Sequence, residues 1–258
     1  MRVVGLLWLV SCALLAACNP TTGSRPSAWS APQLIAPALQ WNAPAAAASR
    51  DQVAFVWTGF DGQDVHQDAR VLQGDSLKSP VILPLPPTHP LDQQLRAGAG
   101  GAFHLFWLDA AAAGEGNRLY SALLRPDLAV ERGPVELSTA PTYQFAVVAD
   151  GSGGTLAVWS EGHAAEPELW AAGLDATGLP RQAQKIATNS QHPALTGTPD
   201  GAIAVFRESE GRLWIARWAD DGALEWTALT ATVGRQAGDR LDALWAAPCL
   251  PSLCVGWN

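Results

Sequence analysis

The chain has 258 residues, 48% of them hydrophobic and 16% charged, with 24 acidic side chains against 16 basic ones and a formal net charge of −8. Such an acidic balance argues against nucleic acid or anionic lipid as an electrostatic partner, and the length is ample for a sizeable core. Twelve tryptophans beside 24 glycines and 19 prolines point to many short strands joined by tight turns.

Met1-Arg2 is a short basic start, and Val3 to Leu15 is an apolar run too short to span a bilayer comfortably as a helix. Residues 1–17 therefore read as an export signal. The signal ends in Leu15-Ala16-Ala17-Cys18, which resembles the lipobox of bacterial lipoproteins at all four positions. The resemblance implies cleavage before Cys18 and lipid modification of Cys18 as the first mature residue. The competing reading is an ordinary secretory signal with Cys18 incidental. In a host with two membranes, Asn19 is not the aspartate that the family uses for inner-membrane retention, so the resemblance implies the outer membrane. Residues 18–28, with Pro20, Thr21, Thr22, Gly23, Ser24, Pro26 and Ser27, have almost nothing to bury and form a flexible tether of roughly 20 Å. No later apolar run is long enough to cross a membrane.

Residues 29–258 carry an internal repeat. Short apolar runs end in an aromatic at Trp57, Trp107, Trp159, Phe206 and Trp257, about every 50 residues. A second strand follows each of three aromatics, in Leu119-Tyr120, Leu169-Trp170 and Leu213-Trp214, with Val65-His66 as the weaker counterpart in the first repeat. Next come a turn such as Asp175-Ala176-Thr177-Gly178 and a last strand at Val81-Ile82, Val135-Glu136-Leu137 or Lys185-Ile186. Four-stranded antiparallel units of this length predict an all-β fold, a β-propeller of about five repeats. The last blade, with Leu241 to Trp245 and Val255 to Trp257, is incomplete. Either the ring has five blades with a short last one, or the chain is a truncated larger propeller. Trp29 to Ile35 looks like an orphan outer strand that could pair with the unfinished blade. The alanine runs at 45–48 and 110–113 are expected to be loops.

Four cysteines occur: Cys12 leaves with the signal and Cys18 takes the lipid, which leaves Cys249 and Cys254. In an exported protein such a pair is expected to form a structural disulfide across a hairpin. A metal or redox site lacks both a histidine cluster and CxxC spacing.

Thr198-Pro199-Asp200-Gly201-Ala202-Ile203-Ala204-Val205-Phe206-Arg207-Glu208 resembles the sialidase-like (BNR-type) propellers, and Asp220-Asp221-Gly222-Ala223-Leu224-Glu225-Trp226 meets their Asp-box in part. The sialidase arginine triad and Tyr-Glu pair do not map onto the two tyrosines, Tyr120 and Tyr143, and Tyr120 is a repeat-consensus position, expected to be structural. Leu174-Asp175-Ala176-Thr177-Gly178 resembles the turn of PQQ-like repeat propellers. The acids after the aromatics, Asp109, Glu161 and Glu208, could be imagined as a cation-binding ring. Their recurrence in each blade favours strand-end capping instead. His66, His89, His104, His163 and His192 show no metal spacing, and most are expected in solvated loops. Gly151-Ser152-Gly153-Gly154 precedes a strand, which excludes a phosphate-binding loop.

No catalytic residue, metal site or cofactor is expected. The sequence predicts a membrane-anchored extracytoplasmic lipoprotein acting as a non-catalytic binding or scaffold propeller. The alternatives are a sialidase-like carbohydrate-active enzyme and a structural or assembly component of the envelope. A protein or glycan is the expected ligand, nucleic acid is not, and the connection between second and third strands marks the expected binding face.

Overall fold

The computed structural model describes residues 34–35, 43–85, 89–110, 116–198, 201–208, 212–218, 224–232, 244–249 and 252–257. Cys18, the signal and nearly all of the orphan-strand segment lie outside them. All the strands belong to one compact unit, Pro37–Asn258, and the described residues contain no α-helix. Among these residues no helix is long and apolar enough to cross a membrane.

Blade 1 comprises β1 (Ala45–Ser49), β2 (Gln52–Phe60), β3 (Val65–Gln73) and an outer strand broken into β4 (Ser76–Leu77) and β5 (Val81–Ile82). Blade 2 comprises β6 (Pro90–Ala97), β7 (Phe103–Ala110), β8 (Asn117–Leu124) and β9 (Val130–Glu136). Blade 3 comprises β10 (Thr142–Ala149), β11 (Thr155–His163), β12 (Glu166–Leu174) and β13 (Gln184–Thr188). Blade 4 comprises β14 (Ser190–Thr198), β15 (Gly201–Glu208), β16 (Arg212–Trp218) and β17 (Leu224–Thr232). A two-stranded remainder pairs β18 (Leu244–Cys249) with β19 (Ser252–Trp257). Each sheet is an antiparallel meander in sequence order. The first strands lie side by side, β1 against β6, β6 against β10, β10 against β14 and β14 against β18. This is the β-propeller arrangement, with first strands innermost. Among the described residues the series is open, since no pairing joins the last sheet to the first.

The repeat aromatic lies within the second strand of each four-stranded blade. Trp107 stands opposite Tyr120, Trp159 opposite Trp170 and Phe206 opposite Trp214, whereas Trp57 stands opposite Asp68. Cross-strand aromatic pairs stabilise a sheet, and the Trp107 and Tyr120 rings stack at 5.7 Å. Trp107 and Trp159 also seal seams between blades. Trp107 packs with Val56, Ala69 and Val71 of blade 1, and Trp159 packs with Phe106, Leu108 and Leu119 of blade 2. Strands covered on both faces need apolar residues at consecutive positions, as in the fully buried run Phe103 to Leu108.

The alanine run at 45–48 is not a loop but the inner strand β1. Alanine favours helix over strand in isolation. Here the converging inner strands leave little depth for side chains, and Ala45 packs into the seam with blade 2. Ala110 is likewise the last residue of β7; residues 111–113 lie outside the described residues.

The inner strand β6 escapes the sequence pattern because its side chains are polar as often as apolar. Gln94 Nε2 donates to Phe145 O at 3.1 Å and Arg96 Nε to Val147 O at 2.8 Å, while Gln93 Nε2 donates to Ala43 O at 3.2 Å and Val56 O at 3.3 Å. Phe145 and Val147 are alternate residues of an inner strand that has a strand neighbour along one edge only. Side chains of blade 2 thus satisfy carbonyls that no strand reaches. Burial depresses the Arg96 guanidinium pKa from its ordinary value.

Candidate functional site

In a meander the connection from second to third strand and the passage from the fourth strand to the next blade emerge on one face, here called the upper face. The expected binding loops and the starts of the inner strands therefore share a rim. Two inner strands begin with a bulge at the same place, between Pro90 and Asp92 and between Thr142 and Gln144, and β14 has one a pair further along, between Gln191 and Ala194. A bulge leaves one residue out of the ladder and re-aims its side chain. In blades 2 and 3 that residue is Leu91 and Tyr143, which are 46% and 41% exposed. Phe60, at the upper end of β2, is 54% exposed. Three adjacent blades thus each offer a large apolar side chain on one face. The Tyr143 hydroxyl donates to Gly162 O at 2.7 Å, which fixes the ring.

Asp92 follows the bulged Leu91 and Gln144 follows the bulged Tyr143. Asp92 reaches solvent, yet protein around it raises its carboxyl above the usual range, against the pull of the Gln93 N–H. The carboxylates two residues after the repeat aromatics of blades 2 and 3 are committed. Glu161 is buried; its Oε2 accepts from Trp159 Nε1 at 2.8 Å and from Thr139 N at 3.1 Å, and its Oε1 accepts from Thr139 Oγ1 at 3.1 Å. Asp109 accepts from His89 N at 2.8 Å; burial raises its carboxyl most, and the His89 N–H lowers it in part. Both acids fasten the chain entering their blade, so they cap strand ends as their recurrence implied. In blade 1 the equivalent position is Gly59, and Asp68 from β3 occupies the space a side chain there would fill. Burial raises Asp68, His66 and Trp57 oppose the rise, and His66 Nε2 lies 3.4 Å from Asp68 Oδ1. Glu208 ends β15, and its side chain lies outside the described residues.

Among the described residues no group of three metal-ligating side chains comes together. His89 and His163 are exposed, and His66 is half-buried on β3. His104 departs from the expectation of a solvated loop: it lies within β7 and is 1% exposed, because that face of β7 packs on blade 3. Gly151 to Gly154 forms the turn between β10 and β11, where Asp150 Oδ1 accepts from Ser152 N, Ser152 Oγ and Gly154 N. Asp175 does the same for Thr177 N, Thr177 Oγ1 and Leu179 N, so the segment Asp175-Ala176-Thr177-Gly178 is a self-capped turn. Tyr120 sits within the core stack, as its place in the repeat implied.

Cys249 stands opposite Ser252 and Cys254 opposite Ala247. The two are diagonal neighbours on adjacent strands. A groove of about 440 Å³ opens on the lower face between blades 1 and 2, lined by Gln52, Val71, Lys78, Pro126, Asp127 and Leu128 among others. It contains none of the candidate residues.

The fold is a β-propeller that exposes Phe60, Leu91 and Tyr143 on one face. No protein-family model matches the chain, and no curated protein matches it in sequence. Solved structures do. An endo-arabinase from Bacteroides thetaiotaomicron is similar at a TM-score of 0.42 and 16% identity over 77% of this chain and 78% of that one. A GH43 β-1,3-galactosidase is similar at a TM-score of 0.43 and 13% identity over 73% of this chain and 44% of its own length. A Trypanosoma rangeli sialidase is similar at a TM-score of 0.46 and 8% identity over 72% and 37%. The chain thus spans less than half of the galactosidase and of the sialidase.

Proposed function

We propose that this protein is a lipid-anchored envelope propeller that takes a saccharide on its upper rim. The observation that carries the reading is the repeated bulge, which presents Leu91 and Tyr143 beside Asp92 and Gln144 in adjacent blades. An apolar platform flanked by a carboxylate and an amide suits a sugar ring, whose C–H face stacks on the platform while its hydroxyls hydrogen-bond at the margin. The lipid anchor at Cys18 and the Cys249–Cys254 bridge belong to the same proposal and rest on the sequence.

A glycan array followed by calorimetry on the best ligand tests the rim. Tyr143→Ala and Asp92→Asn are each expected to weaken binding about tenfold or more, with the thermal midpoint little changed because both side chains are exposed. Unaltered affinity in both variants would remove the rim from the reading. The intact mass of protein purified from membranes, with and without reductant, reads the acyl chains on Cys18 and the state of Cys249 and Cys254 together. An unacylated mature chain would end the anchor proposal.

A second reading, hydrolysis of the bound saccharide, is favoured by one observation. The raised Asp92 carboxyl is the property a general acid needs. Against it, glycoside hydrolysis ordinarily uses two carboxyl groups, and Asp109 and Glu161 are engaged elsewhere. Product release from the array ligand, abolished in Asp92→Asn while binding persists, would establish it.

A further inference from the structure

The seam between blades 2 and 3 contains a buried histidine that neither the rim nor the anchor explains. His104 is 1% exposed, and its Nε2 lies 3.2 Å from Gly153 O. A carbonyl only accepts, so the ring must carry its hydrogen on Nε2. The same Gly153 O accepts from Ala99 N at 3.3 Å. One carbonyl on the lower turn of blade 3 is therefore held by two donors of blade 2, the His104 ring and the turn before β7. Packing allows little slack: a Cβ at Gly98 would come within 2.9 Å of His104 Cδ2, and a Cβ at Gly153 within 2.5 Å of the Ala99 Cβ. The second ring nitrogen, Nδ1, is buried with no hydrogen-bond partner.

We propose that His104 is a proton-operated release for this seam: neutral, it clamps the two lower turns together, and protonated, it lets them part. Protonation places a hydrogen and a charge on Nδ1, where no acceptor waits and water is excluded. Arg96 of β6 stands opposite His104 in the ladder and disfavours its protonation, and the carboxylates facing the ring are Asp150, on the turn that carries Gly153, and Asp175, on the turn between β12 and β13. Both favour the protonated ring. Each already spends Oδ1 on three donors of its own turn, and Arg132 of blade 2 donates to Thr177 O at 2.8 Å and offsets the charge of Asp175. Burial outweighs the hydrogen bond to Gly153 and the two carboxylates, and it holds the His104 pKa below its ordinary value. A histidine lowered in the folded state is stabilising above its unfolded pKa of about 6.5 and loses that contribution as pH falls below it. The seam is thus closed at neutral pH and opens on acidification.

Amide hydrogen exchange on the full chain, corrected for intrinsic rates, tests the release at about pH 7.5 and about pH 5. Protection of Ala99 and of the turn at 150–154 is expected to fall about tenfold relative to β11 and β12 at the lower pH. In His104→Gln, whose amide can still donate to Gly153 O but does not titrate, the two pH values are expected to give equal protection. Should that variant fail to fold, the wild-type ring itself decides by NMR titration. A His104 that titrates at or above about 6.5, or a loss of protection spread evenly over all blades, would overturn the proposal.

Discussion

Glu161→Ala is expected to lower stability by about 3–5 kcal/mol, measured as a shift of the urea midpoint at unchanged slope. The carboxylate is buried and serves three donors, the indole of Trp159 and the amide and hydroxyl of Thr139. Alanine strands the indole and the amide away from water, at roughly 1–3 kcal/mol each, and leaves a cavity besides. The loss is also directional, because Thr139 belongs to the passage from β9 to β10 and Glu161 ends the strand that pairs with β10. Trp159→Phe removes one donor and keeps most of the ring. In a double-mutant cycle with Glu161→Ala the two changes are expected to be less than additive, as residues sharing one hydrogen bond are. Additive losses would show that the carboxylate acts through something other than this network.

Gly153→Ala is expected to rival it, at about 3–5 kcal/mol. Gly153 has φ +95, a backbone conformation that L side chains rarely adopt and that costs roughly 1–3 kcal/mol to impose. Its added methyl would lie 2.5 Å from the Ala99 Cβ and 2.9 Å from Ala99 N, and relieving such overpacking costs roughly 1–3 kcal/mol more. The turn can relieve the contact by moving off blade 2, which would lengthen the bonds from Ala99 N and His104 to Gly153 O. The variant is therefore expected to lose protection at Ala99 at every pH. Gly151→Ala is the control: Gly151 shares a positive φ of +79 but meets nothing within 4 Å, so it should suffer the backbone cost alone. Equal losses in the two variants would place the whole effect in the turn and none in the seam.

The two regions have different reach. Loss of Glu161 acts at the upper face, one strand away from Tyr143, and is expected to weaken a rim ligand as well as the fold. Loss of Gly153 acts at the lower face, and ligand affinity measured well below the unfolding transition should survive it.

The sequence by itself determined the repeat, the strand class and the turns. Apolar runs closed by Trp57, Trp107, Trp159, Phe206 and Trp257 recur along the chain, with Trp107 and Trp159 pressed into the seam with the preceding blade, and Asp150 and Asp175 close turns with donors two to four residues away. Such patterns are local, so they are legible in a linear chain. The inner strand β6 was not, since Gln93, Gln94 and Arg96 find their acceptors only in the neighbouring blades. Those acceptors lie one repeat away: His104 and Gly153 are separated by 49 residues, Gln93 and Ala43 by 50, Gln94 and Phe145 by 51, and Arg96 and Val147 by 51. The rim has the same origin, because a bulge is a mismatch between two strands and leaves no mark on either alone. Only the stacking of one blade on the next decided that Leu91 and Tyr143 face outward, that Asp109 and Glu161 are fasteners, and that His104 is sealed from water.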